Sequence, residues 1–196
     1  MSKVVLDVSV SLDGFTAGPN VREAEPMGDG GERLHEWMAG SGPEGAIDAA
    51  VRREVDAAVG AAVIGRRTFD LGLGPWGGTP WPGVPSFVVT HRTREDLVGG
   101  NGGTFVFDGM RTAVERAREA AGGKDVLVLG ADVARQLLTA GLLDEVHIHL
   151  VPILLGGGTP LFAGERAQLA AEGRAVSGAV THLRFRVENS QVPAAS

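Results

Sequence analysis

The chain has 196 residues, a net charge of -6 and no cysteine. This length suits one compact domain with a substantial core, and the acidic balance argues against nucleic acid or an anionic membrane as the main partner. Without cysteine there are no disulfides, thiolate metal ligands or cysteine nucleophile.

The N-terminus lacks a charged-then-apolar leader and no apolar run approaches a membrane span, so cytoplasmic residence is expected. Lys3 to Val10 reads as a first strand, mostly apolar and so buried on both faces. Ser11-Leu12-Asp13-Gly14-Phe15 then turns into an irregular stretch through about Gly31, rich in glycine, proline and acidic residues. A loop that long in a compact domain is functional or mobile. A short helix, Glu32 to Ala39, is predicted next, with Leu34, Trp37 and Met38 on one stripe and Glu32 and Glu36 nearly opposite. A second helix, Glu44 to Val59, carries Ile47, Val51, Val55 and Val59 at regular i+4 spacing.

Strand 61–64 leads into Gly65 and a short helix, followed by a predicted loop from Gly72 to Val84 with two Pro-Trp pairs. Phe87 to Thr90 and Thr104 to Phe107 are further strands, and Thr112 to Ala121 is a helix stopped by Gly122-Gly123. Strand 125–129, helix 132–140 and strand Glu145 to Leu150 complete an alternating β/α run, which predicts a mainly parallel sheet with helices on both faces. Gln168 to Val176 and Ala179 to Glu188 read as an antiparallel pair. His182, Arg184 and Arg186 alternate there with Leu183, Phe185 and Val187, predicting an exposed polar face. His147 and His149 likewise share a face, expected to be solvent or a partner surface, and no metal is expected there. Residues 1–190 form a single domain in this reading, with 191–196 a disordered tail.

Three strand ends carry groups that suit phosphate. Val126 to Leu129 stops at Gly130 and becomes helical at once, and such a junction aims the free N–H groups of a helix start out of the sheet edge. Ala61 to Ile64 stops at Gly65, followed by Arg66, Arg67 and Thr68, a donor fork and a cap suited to an anion. The third strand ends in Thr90-His91-Arg92-Thr93-Arg94. Together they suggest a ligand with more than one phosphate.

These motifs resemble one family over almost the whole chain. Ser11 to Phe15, Gly65 to Phe69 and Val128 to Ala131 are similar to the dihydrofolate reductase fold, and within it to the bacterial branch related to the reductase domain of riboflavin biosynthesis. The run Asp144-Glu145-Val146 leading into Val151-Pro152-Ile153-Leu154-Leu155-Gly156-Gly157-Gly158-Thr159-Pro160-Leu161-Phe162 is its most specific piece. The resemblance implies a dihydrofolate reductase-like three-layer α/β fold with a mainly parallel twisted central sheet of about eight strands and an antiparallel C-terminal pair. It also implies a reduced nicotinamide cofactor, NADPH, a small-molecule substrate and a homodimer. Cofactor roles pass to Ala17, to Gly65, Arg66, Arg67 and Thr68, to Thr90, His91 and Arg92, and to Gly130, Ala131, Asp132, Val133 and Ala134. Only one of Arg66 and Arg67 need serve.

Folate reductases use a carboxylate on the first helix, immediately before a leucine and four residues before an aromatic on the same helical face. In this chain the residue before Leu34 is Arg33 and the aromatic is Trp37. An arginine therefore stands where the acid is expected, and can instead pair with an anionic substrate. Asp13 and His35 are the remaining candidate proton donors, and Phe15, Trp37 and Trp76 candidate pocket walls. The expected activity is hydride transfer to a C=N or C=O group of a small polar pterin-, pyrimidine- or carbonyl-type substrate other than dihydrofolate. A non-catalytic nucleotide-binding or regulatory protein on the same fold, or a flavin- or deazaflavin-dependent reductase, are the alternatives.

Overall fold

The computed structural model of the chain describes residues 2–40, 45–92 and 94–188. Glu44, Thr93 and the predicted tail at 191–196 lie outside the described residues.

In chain order the elements are β1 (Val4–Ser11), β2 (Phe15–Ala17), a 3-10 helix (Gly31–Ala39), α1 (Ala46–Ala58), β3 (Val59–Gly65), α2 (Arg66–Trp76), β4 (Ser86–Val89), β5 (Leu97–Val98) and β6 (Thr104–Asp108). There follow α3 (Met110–Ala120), β7 (Asp125–Leu129), α4 (Ala131–Thr139), β8 (Glu145–Val151), β9 (Thr159–Pro160), β10 (Gln168–Val176) and β11 (Thr181–Glu188). Nine strands form one sheet in the order β10-β11-β8-β1-β7-β3-β4-β6-β5, and β2 pairs with β9 alongside. The block β8-β1-β7-β3-β4-β6 is parallel, and β5, β10 and β11 add antiparallel edges. The expected mainly parallel α/β sheet with an antiparallel C-terminal pair is what the chain forms. The short strands β2, β5 and β9 are absent from the sequence reading because two or three residues carry no alternation to detect.

Helices cover both faces, and strand alternation divides the core between them. Val4 and Leu6 of β1, Ala61 and Val63 of β3, and Val126 and Val128 of β7 pack with Ala113, Val114 and Ala117 of α3 and Val133, Ala134 and Leu137 of α4. On the opposite face Ile64, Val88, Phe105 and Phe107 pack with Phe69 of α2, and Val5 and Leu127 lie with Val55 of α1. Helix α2 runs on through Gly72 to Trp76 instead of opening into a loop, with Pro75 tolerated in its last turn. Trp76 packs into the cluster around Phe69 and Phe105, so it fills core rather than lining a pocket near the 3-10 helix.

Two corrections concern the face under α1. The inward residues of α1 are Asp48 and Val51, while Ile47 is exposed, so the helix is rotated from its predicted apolar stripe. The cause lies beneath it. Ser9, His149 and His182 form one rung across β1, β8 and β11, and Asp7, His147 and Arg184 the next. All project toward α1, and His149 and His182 are each 3% exposed. The predicted exposed histidine faces are therefore partly interior: an acid on α1, not another apolar residue, satisfies His182.

Candidate functional site

The C-terminal ends of the parallel strands meet along one sheet edge, and the three phosphate-competent junctions lie side by side there on β7, β3 and β4. Ile64 pairs with Leu129 and Gly65 with Val89. Each of α2 and α4 starts from a glycine without a side-chain cap, so both helix starts keep backbone N–H groups for an anion. Gly130 adopts φ 108, ψ 129, a conformation suited to glycine. A Cβ there would lie 2.5 Å from Thr68 Oγ1 and 3.7 Å from the Gly65 nitrogen. The missing side chain thus lets the two junctions close on each other.

The residues around this seam differ in what they offer. Arg66 folds back onto Asp70, donating from Nε to both carboxylate oxygens at 2.9 Å. Arg67 beside it is exposed. Thr90 Oγ1 accepts the Arg92 amide at 3.0 Å, forming a turn that presents His91 and Arg92 to solvent. Ala131, Val133 and Ala134 are buried, so they offer backbone alone, while exposed Asp132 accepts a bond from Gln136 at 2.8 Å.

The loop after β1 borders the same edge. Asp13 accepts the Ser11 hydroxyl at 2.6 Å and the amides of Leu155 at 3.2 Å and Gly156 at 2.7 Å. These donors, the Ser11 hydroxyl foremost, hold its carboxyl below the ordinary carboxylate range. Asp13 thus anchors the glycine run as an ionised group and is poorly suited to give up a proton. Gly158, at φ +125, lies so close that a side chain would collide with the Ala17 carbonyl. Ala17 pairs with Thr159 and Phe15 with Pro160, and Arg135 of α4 donates to the Pro160 carbonyl at 2.9 Å. The glycine run is therefore folded against β2 and α4.

The 3-10 helix sets the other wall. At three residues per turn, positions i and i+3 eclipse, and its buried residues are Gly31, Leu34 and Trp37. Met38, predicted to share that stripe, is 38% exposed because it falls on the next column with His35. Arg33 is exposed, in one column with Glu36. Trp37 points inward instead of walling an open pocket: its Nε1 donates to Ser9 Oγ at 3.0 Å and its ring lies 4.6 Å from His149 and 5.1 Å from His182. His35 is half-buried, and burial, then the charge of His149, lowers its pKa.

Below Trp37 runs a network that sequence reasoning missed. Asp48 Oδ1 lies 2.9 Å from His182 Nε2, His182 Nδ1 2.7 Å from His149 Nδ1, and His149 Nε2 3.0 Å from Asp7 Oδ1. His147 Nδ1 is 3.6 Å from Asp7 Oδ2, and its Nε2 is 3.1 Å from Glu145, which also takes Lys3. Burial alone would raise the Asp7 pKa, but the imidazoles of His147 and His149 outweigh it and hold the carboxyl far below its ordinary range. Burial lowers His182, against the pull of Asp48. Glu145 of the same strand, with Asp7 and Asp48 from other elements, thus surrounds the histidines with carboxylates, yet the described residues contain no grouping of three or more His, Asp or Glu able to hold a metal ion.

A pH dependence follows. His182 and His35 have folded pKa values below the ordinary histidine value, so below that value the unfolded chain binds protons that the folded chain resists. Their contribution to stability is complete above the ordinary histidine range and is lost as pH falls toward the folded values. Thermal denaturation from about pH 7.5 to 5 is expected to show a falling Tm, and His182→Gln a shallower fall.

Comparison with known proteins agrees with this architecture. The family model described as RibD C-terminal domain matches residues 2–187. The uncharacterized protein YyaP of Bacillus subtilis (strain 168) is 28% identical over 175 residues, covering 82% of this chain and 80% of that protein. Among solved structures, a putative riboflavin biosynthesis protein from Shewanella sp. PV-4 superposes with a TM-score of 0.72 at 23% identity, covering 96% of this chain and 100% of the other. Dihydrofolate reductase from Enterococcus faecalis, complexed with NADP(H), superposes with a TM-score of 0.57 at 15% identity, over 95% and 97% of the two chains. No helix among the described residues is long and apolar enough to cross a membrane. With a sheet edge built around Gly65, Thr68 and Gly130 and a family match spanning the fold, the chain belongs to the RibD C-terminal domain family, on a dihydrofolate reductase-like fold.

Proposed function

We propose that the chain is an NADPH-dependent reductase that delivers hydride to a C=N or C=O carbon of a small pterin-, pyrimidine- or carbonyl-type substrate. The observation that carries this reading is the closure of Gly130 onto Thr68 and Gly65, which leaves two uncapped helix starts facing one seam. A pyrophosphate suits that seam, since backbone N–H groups and helix dipoles from both sides favour negative charge. Arg67 and Arg92 are exposed cations at the neighbouring strand ends, with His91 beside Arg92, and they suit a further phosphate and favour NADPH over NADH. When bound, NADPH supplies the hydride, and the chain's own task is to orient the acceptor, exclude water and furnish a proton.

The substrate side is the 3-10 helix and the loop after β1. Exposed Arg33 puts positive charge where the folate reductase pattern carries its acid, which suits an anionic or electron-rich substrate. Half-buried His35 is the candidate proton donor on that helix, whereas Asp13 is committed to the glycine run.

Fluorescence titration with NADPH, NADH and flavin, followed by NADPH oxidation over a panel of pterin, pyrimidine and quinone-like acceptors, tests the proposal. The expected result is preferential NADPH binding, turnover with one acceptor class and none with dihydrofolate. Tight NADPH binding without turnover on any acceptor points to a binding module, and flavin binding in preference to NADPH to a different cofactor. Efficient reduction of dihydrofolate would overturn the role given to Arg33.

A further inference from the structure

We infer that His149 and His182 are positioning residues: they share a single buried proton between their Nδ1 atoms, and this one-proton state holds Trp37, and with it the 3-10 helix carrying Arg33 and His35, against the sheet. The inference deepens the proposed function by naming what controls the substrate side, and so rests on that reading for its catalytic meaning.

Proton counting carries it. The chain Asp48–His182–His149–Asp7 has three links, of 2.9, 2.7 and 3.0 Å, and each hydrogen bond needs one proton. Ionised carboxylates only accept, and a neutral imidazole brings one N–H. Two neutral imidazoles therefore fill two links and leave the third with lone pairs facing each other, most directly the two Nδ1 atoms at 2.7 Å. One added proton satisfies every link. A second added proton would aim two N–H groups at each other across the same gap.

Charge leads to the same state. Asp48 is buried and Asp7 largely so, and their only ion-pair partners among the described residues are histidines. The other charged groups around the pair are matched elsewhere: Arg184 of β11 with Glu54 of α1, and Lys3 of β1 with Glu145 of β8. His147 faces Asp7 and Glu145, and half-buried His35 faces the pair from the 3-10 helix. Without a proton on the pair, buried Asp48 would face only neutral imidazole and Asp7 would depend on His147 and the more distant Arg184, a costly arrangement.

The link to the substrate side is mechanical. Trp37 rests on both rings, 4.6 and 5.1 Å away, and is pinned by its bond to Ser9. A second proton that forces the rings apart must displace Trp37, which is the inward column of the 3-10 helix. The pair titrates as a unit, with one proton held and the next resisted.

The test uses NMR of the full chain labelled with 15N in histidine and tryptophan. At neutral pH the expected result is one strongly downfield imidazole N–H shared by His149 and His182, with one proton between the two Nδ1 atoms. On acidification from about pH 7.5 to 5 that signal is lost and the Trp37 indole N–H shifts with the same apparent pKa, while Trp76 and Trp81 do not follow it. His182→Gln abolishes the Trp37 titration, and Glu54→Gln, which disturbs the same face outside the pair, preserves it. Two unprotonated Nδ1 atoms at neutral pH, or a Trp37 indole indifferent to pH, would overturn the inference. In turnover, the acid limb of the kcat profile is expected to move in His182→Gln while the affinity for NADPH stays within about twofold, because the cofactor seam lies on other strands. A Trp37 titration in a protein that oxidises no NADPH sinks the reductase reading and keeps the pair; turnover whose acid limb ignores His182→Gln sinks the positioning role and keeps the reductase.

Discussion

Gly130→Val is expected to abolish measurable NADPH binding and to lower stability by several kcal/mol. Two costs add at this position. A branched residue held at φ +108 is strained by about 1–3 kcal/mol. Its Cβ would also meet Thr68 Oγ1 at 2.5 Å, so either Thr68 or the start of α4 must move. Displacing either opens the seam between the two helix starts, and a loss of more than about tenfold in affinity follows if the pyrophosphate sits there. Gly123→Val separates the two effects. Gly123 also has positive φ, but nothing lies within 4 Å of its would-be Cβ. It should lose stability from strain alone and keep NADPH affinity. Equal loss of binding in the two variants, by fluorescence titration, would remove the seam from the cofactor site.

The contrast between these glycines also shows what was legible in the sequence. Gly130 and Gly65 each end an apolar run and open a helical one, so the junctions can be found without a structure, as can the parallel sheet that sets them side by side. What cannot be found is that Thr68 fills the space of the missing Gly130 side chain, since that contact joins two βα units. Arg66 and Arg67 are equivalent as text. Only the i+4 position of Asp70 tells them apart, and its meaning depends on Arg66 turning along α2 rather than toward the edge.

The 3-10 helix and the polar rung beneath it were less legible, for two physical reasons. The first helix is a 3-10 helix, so a 100° step mixes columns that a 120° step keeps apart: Leu34 with Trp37 inside, His35 with Met38 at the side, Arg33 with Glu36 outside. The second reason is register. Asp7, Ser9 and Ser11 alternate through β1 in a polar period of two, a signal hidden by the apolar residues between them. Taken alone, the polar faces of β8 and β11 each suggest solvent, and β1 reads as apolar on both faces. Only cross-strand pairing brings Ser9, His149 and His182 onto one rung, and only α1 packing across that rung turns them into an interior. Asp48 lies one residue off the apolar stripe of Ile47, Val51, Val55 and Val59, so that spacing does not mark it as inward; the rotation of α1 over the polar rung does.

Asp48→Ala should therefore be among the most damaging single changes outside the seam between the two helix starts. The carboxylate is buried, with Oδ1 2.9 Å from His182 Nε2, and its removal leaves that imidazole donor without its acceptor and the pair's charge with one counter-ion fewer. Breaking one side of a buried ionic contact typically costs about 3–5 kcal/mol. In a chain of this size that corresponds to a fall in Tm of about 6–20 °C. The double variant Asp48→Leu with His182→Phe is expected to recover about half of that loss or more, because it removes both members of the link and returns apolar surface to α1, although His149 still loses one partner. Asp48→Asn keeps the shape and an acceptor oxygen but not the charge, so it should fall between wild type and alanine and lose the Trp37 titration. A thermal melt of the four proteins decides the matter. If the double variant is no more stable than Asp48→Ala, the damage comes from lost packing beneath α1 and not from the orphaned charge. If it is more stable, the network is held together as a unit whose members are worth less singly than the penalty for breaking any one of them.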